Sequence, residues 1–134
     1  MSITQLTAVG AGLGVAAVVA MVILSASPQP TPDKVTDAAR VAALQQLAAL
    51  ISAHYQDSGV LPARLSNLMD GQQLTAIPVD PASGKPYEYE PEADDSYTLC
   101  ARFDAASQQG EVGAFWMHEA GRRCFRLSPA YGEY

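Results

Sequence analysis

Apolar and polar positions change their spacing along the chain, and each spacing predicts a different element. From Leu6 to Ala26 there is no alternation: the run LTAVGAGLGVAAVVAMVILSA carries no charge, and as a helix it reaches about 30 Å, the thickness of a bilayer core. From Asp33 to about Gln56 no Gly or Pro interrupts, and Leu44, Leu47, Ile51 and Tyr55 recur at spacings of three and four. That spacing predicts a long amphipathic helix, with Arg40, Gln45, Gln46 and Ser52 off the apolar stripe. Thr31 is placed to cap it through its hydroxyl, Pro32 to open it, and Asp33 to face its positive end. Asp57-Ser58-Gly59 is a stop signal.

The next stretch, VLPARLSNLM, predicts a short helix or 3₁₀ turn with Leu65, Leu68 and Met69 to one side and Asp70-Gly71 at its end. Pro78, Pro81, Ser83-Gly84 and Pro86 predict an ordered, turn-rich loop. Period-two alternation starts there. Tyr87 and Tyr89 face one way and Glu88 and Glu90 the other; a turn at Glu92-Ala93-Asp94-Asp95 leads into Tyr97, Leu99, Ala101 and Phe103. Cys124-Phe125-Arg126-Leu127 predicts a third strand. If Phe125 and Leu127 share a core with Leu99, Phe103, Leu47 and Ile51, then Cys124 lies on the same outward face as Cys100, and the two sulfurs can bridge neighbouring strands. The expected fold class is α+β: a long helix laid on a small antiparallel sheet of about three strands.

Charge divides the chain. The first charged side chain is Asp33, and every Lys, Arg, Asp and Glu follows it. The expected organisation is a transmembrane anchor over residues 1–27, a Pro-rich linker over 28–32 and a globular domain over 33–134. A cleaved secretory signal is the rival reading of the first part, but it lacks a basic n-region, and a cut after Ser27 would leave Pro28 first. Orientation signals conflict. Lys34 and Arg40 beside the span point to a cytoplasmic domain by the positive-inside rule, whereas a pair of cysteines without metal-ligand spacing points to a disulfide and an oxidising compartment. The expectation adopted is a single-pass inner-membrane protein with an extracytoplasmic, periplasmic domain.

A net charge of −6 argues against nucleic acid as a partner. Arg122, Arg123 and Arg126 form the one basic cluster and suit a solvated edge strand. His54 and His118 lie in no nucleophile–base motif, and His118 is expected in a loop near Trp116; neither an enzyme activity nor a cofactor is expected. Glu92, Asp94 and Asp95, next to Glu88 and Glu90, are calcium candidates, set against a merely solvated hairpin. In the apolar segment, Gly10 and Gly14 have the spacing of close helix packing in lipid and allow a homodimer through that helix. The bilayer and other envelope proteins are the remaining expected partners.

Two segments resemble type IV pilin-like proteins, above all the pseudopilins of type II secretion. Tyr55-Gln-Asp-Ser-Gly59-Val-Leu-Pro62, followed by Leu65 and Leu68, is similar to that family's tyrosine, glycine and proline segment. Ile77-Pro78-Val-Asp80-Pro81-Ala-Ser-Gly84-Lys-Pro86-Tyr87-Glu-Tyr89 is similar to its aspartate-proline, glycine and tyrosine loop. The resemblance spans about residues 33 to 103. It implies a pilin-like scaffold and a non-enzymatic structural or interaction role in the cell envelope, associated with secretion; a ligand- or calcium-binding module on that scaffold is the alternative. One departure stands out. Processed pilins carry a cleavage motif and a glutamate near the mature N-terminus, and here the segment before Asp33 holds no acid. An uncleaved anchor that does not polymerise is therefore expected.

Overall fold

The computed structural model describes residues 31–69, 74 and 76–129. The predicted anchor, most of the linker, Gly10, Gly14 and the Asp70-Gly71 stop lie outside these residues. Among the described residues no helix is long and apolar enough to cross a membrane. The fold is α+β, with one long helix, α1 (Pro32–Ser58), and a three-stranded antiparallel sheet of β1 (Glu88–Pro91), β2 (Tyr97–Phe103) and β3 (Gly121–Leu127) in the order β1-β2-β3. Short 3₁₀ turns occupy Leu65–Leu68 and Ala114–Trp116.

Helix α1 begins at Pro32, whose fixed φ and missing N–H suit a first helical position. Thr31 caps it through backbone geometry alone: its carbonyl accepts from Val35 N at 3.1 Å, and its hydroxyl makes no capping bond, contrary to the sequence expectation. At the other end Gly59 takes φ 73°, and its amide donates to Tyr55 O at 2.7 Å. A left-handed residue there closes the last turn at no steric cost for glycine.

The helix stripe and the sheet's inner face form one core. Val41, Leu44, Leu47, Ala48 and Ile51 pack with Tyr97, Leu99, Ala101, Phe103, Trp116, Phe125 and Leu127, all buried. The six predicted core partners, four from strand alternation and two from the helical stripe, are all in this cluster. Met69 is 44% exposed, so it does not join Leu65 and Leu68 as the sequence suggested. His118 is buried and stacks on Phe103 with ring centroids 3.6 Å apart, while its Nδ1 lies 2.9 Å from Trp116 O. It is thus part of the core's lid.

Strand register pairs Cys100 with Cys124, and the two form a disulfide. Alternation puts it on the face away from the helix, since Leu99 and Ala101 on either side of Cys100 belong to the core. Arg40 is the main correction. It is not a solvent-side residue but is 5% exposed, and Asp37 beside it is 4% exposed. Both lie on the N-terminal continuation of the apolar stripe, where a helix meets its sheet.

Candidate functional site

Asp37 and Arg40, one helical turn apart, reach two loops that the chain brings over the N-terminal half of α1. Arg40 Nη1 donates to Asp37 Oδ1 at 2.7 Å and to Asp104 Oδ2 at 2.6 Å, while Nε donates to Asp80 Oδ2 at 2.6 Å. One guanidinium thus gathers three carboxylates. A planar cation with fixed donors suits this role better than a lysine would. Asp37 has a second task, because its carboxylate accepts the backbone amides of Asp104 at 3.0 Å and Ala105 at 2.8 Å. It thereby fixes the chain as it leaves β2.

The turn-rich loop over 77–89 converges on the same point. Asp80 Oδ1 accepts the amides of Ala82 and Ser83 at 3.1 and 2.7 Å, its carbonyl accepts Gly84 N at 2.8 Å, and its amide donates to Lys85 O at 2.9 Å. An aspartate that bonds its own backbone ahead, with Pro81 next, is turn chemistry. Gly84 has φ 67°, the left-handed value that this return requires. Val79 and Pro86 then meet in an isolated bridge, Tyr87 is buried, and Tyr89 donates its hydroxyl to Pro62 O at 2.8 Å. The structure therefore brings Asp80, Gly84, Tyr87 and Tyr89 into one docked unit and leaves the exposed Pro81 as a turn former.

Electrostatics follows from this packing. Burial alone would raise the Asp80 carboxyl, but the bonds from Arg40 and from Ser83 outweigh it and hold it at about 2. Asp37 is likewise penalised by burial and is lowered by the Asp104 and Ala105 amides and then by Arg40. Burial opposes the Arg40 charge, and its three aspartates more than restore it. Tyr87 is pushed up to about 12, first by burial and then by the nearby Asp80 charge, with Arg40 working against this. Its hydroxyl has no hydrogen-bond partner among the described residues. A cleft of about 410 Å³ opens over the cluster, with Lys85 and Arg102 on its walls; neither makes an ion pair among the described residues. This arrangement can clamp three chain segments together and present two cations beside them.

The calcium candidates are placed otherwise. Thr98 donates to Glu92 at 2.8 Å, Ser96 Oγ lies 2.6 Å from Asp94 and 3.1 Å from Glu92, and Arg126 Nη2 stands 2.9 and 2.8 Å from Glu92 and Asp94. Asp95 takes φ 57°, and its carboxylate acts on Tyr55 at the end of α1, whose hydroxyl is pushed up first by desolvation and then by Asp95. Glu88 holds Arg122 in a two-pronged pair, with Nη2 to Oε2 at 2.6 Å and Nε to Oε1 at 3.0 Å. Among the described residues no group of three or more His, Cys, Asp or Glu side chains is arranged to hold a metal ion.

Sequence reasoning missed Asp37, Arg40 and Asp104 as a unit. A signal was present: counting back from Leu44 by threes and fours lands on Arg40, Val41 and Asp37, so two opposite charges sit where the stripe continues. Polar residues on a buried stripe call for partners. Compared with family models, with curated proteins and with solved structures, the chain matches none.

Proposed function

We propose that the protein is a membrane-anchored, pseudopilin-like structural or interaction component of the cell envelope, with its α+β domain outside the cytoplasm. The single observation that carries this reading is the docking of the 77–89 loop. The residues that resemble the family's loop are the ones that lock to the helix through Asp80 and Arg40, to the segment after α1 through Tyr89, and to the core through Tyr87. A resemblance made only of exposed turn residues would support less. The disulfide supports an oxidising location, and the uncharged run before Asp33 supports an anchor.

In this reading the N-terminal segment holds the protein at the membrane, and the work of the domain is contact with other envelope proteins. The absence of an acid before Asp33 argues for a component that stays in the membrane, because the subunit amine in a pilin bundle needs an acidic partner. Fractionation of cells, with sequencing of the N-terminus, tests this directly. The expected result is an intact N-terminus in the membrane pellet, resistant to high salt, with the domain open to added protease in spheroplasts. Recovery in sheared surface filaments with a trimmed N-terminus would replace it with a processed-pilin reading, and recovery as a soluble, cut chain with a secreted protein.

A further inference from the structure

We propose that the outer face of the sheet is a thiol–disulfide exchange site, in which a small thiol attacks Cys124 and Cys100 departs as a thiolate held by Arg122. The two sulfurs sit in unequal surroundings. Cys100 belongs to the central strand, is 5% exposed, and has Glu88 of β1 as its register partner on one side and Cys124 on the other. Cys124 belongs to β3, an edge strand, and is half-buried. A cleft of about 530 Å³ on this face is lined by both cysteines together with Glu88, Glu90, Thr98 and Arg122, which is room for a small thiol. An attacker reaches Cys124 over the open edge, whereas β1 stands behind Cys100.

The leaving side is prepared as well. Arg122 Nη2 lies 3.4 Å from Cys100 Sγ and 2.6 Å from Glu88 Oε2, and with two hydrogens on that nitrogen it can serve both acceptors. Among the described residues no basic side chain makes a hydrogen bond to Cys124 Sγ. Exchange is faster when the departing sulfur is the better thiolate, and a guanidinium beside it favours the charged form. The step balances without any further reactant. The thiolate's electron pair forms a bond to Cys124 Sγ, the Cys124–Cys100 bond breaks with its pair going to Cys100 Sγ, and a mixed disulfide on Cys124 results. A second thiolate then attacks the thiol's own sulfur in that mixed disulfide; Cys124 takes a proton from water, and the two thiols leave as their disulfide. Glu88 opposes the process by spending part of the Arg122 charge and by placing a carboxylate near the new thiolate.

The test uses the oxidised full-length protein and 2-mercaptoethanol, an uncharged thiol, with acid quenching and peptide mass mapping. The mixed disulfide is expected on Cys124 in about tenfold excess over Cys100, and adducts shared equally or favouring Cys100 would overturn the proposal. Arg122→Gln should slow reduction about threefold and Glu88→Gln should speed it by a similar factor, with Arg122→Lys restoring part of the rate. Loosening of the sheet would instead accelerate reduction in both variants, so a faster Arg122→Gln protein counts against an electrostatic role. Arg123→Gln, whose side chain lies over the Phe125 ring, should leave the rate unchanged; a slowing equal to that of Arg122→Gln would show a general charge effect and overturn the assignment.

Discussion

The sheet has arginine–carboxylate pairs on both sides, and their lengths are almost the same: 2.6–2.7 Å around Arg40, and 2.6–2.9 Å for Arg122 and Arg126. Their surroundings differ. The Arg40 side chain is 6% exposed and those of Arg122 and Arg126 are 54% and 60% exposed. In water an ion pair replaces good hydration with a similar interaction and contributes little; in the interior hydration is already lost, so removing one partner strands the other. Geometry alone therefore does not rank these pairs. The inner cluster sets the path of three segments, whereas the outer pairs dress a face that the disulfide already joins.

The largest expected effect comes from breaking the inner cluster. Arg40→Ala leaves Asp37 buried without its cation and should cost about 3–5 kcal/mol, a large share of the stability of a domain this small, read by urea unfolding. Arg40→Lys should recover part of this but lose the three-way geometry. A loss no larger than that of an exposed pair would show that water reaches the cluster. Next comes the bridge that the outer face does depend on. Replacing both Cys100 and Cys124 by Ser should cost about 3 kcal/mol, because the cross-link closes a loop across a sequence separation of 24. Melts with and without reductant check it, and the double variant should lose all sensitivity to reductant.

A smaller effect reads the inner cluster through pH. Asp37 and Asp80 have carboxyls held below the ordinary 3.8, Asp80 at about 2. A carboxyl depressed in the folded state adds stability that is present above its unfolded value and disappears as pH falls through its folded one. Stability should therefore drop between about pH 4 and 2, and Asp80→Asn should flatten that slope relative to the wild-type chain. An unchanged slope would place the acid sensitivity elsewhere. The smallest effect is predicted for Arg126→Ala, which should leave the melting temperature unchanged within error at 0.15 M salt.

The two faces also differed in how legible they were. Alternation from Tyr87 to Phe103 and from Cys124 to Leu127 carried the strand faces, the core partners Leu99, Phe103, Phe125 and Leu127, and the cysteine pairing, because a period of two leaves a strand only one choice of inner face. Pro78, Pro81, Ser83-Gly84 and Pro86 made the ordered loop legible through turn chemistry. What that loop docks against was not. Arg40 meets Asp80 at a sequence separation of 40 and Asp104 at 64, and no local window contains such a pairing. Read locally, a charged residue on an alanine-rich helix is a surface residue. Thr31 failed for a different reason: a hydroxyl in the right place offers a capping bond, but the backbone geometry closed the first turn without it.

The reach of Arg40 also sets when it acts. Its tie to Asp80 joins α1 to the loop before β1, and its tie to Asp104 joins α1 to the segment after β2. Such distant contacts close longer loops than the β1–β2 hairpin or the helix and are therefore expected to form after them. An Arg40 substitution mild enough to fold, such as Lys, should therefore leave the refolding rate nearly unchanged and put its cost into faster unfolding. On that basis Arg40 is expected to act as a latch that sets how long the folded domain persists rather than how fast it forms, and stopped-flow refolding and unfolding of the Arg40→Lys protein would show a slowed folding arm if it instead belonged to the nucleus.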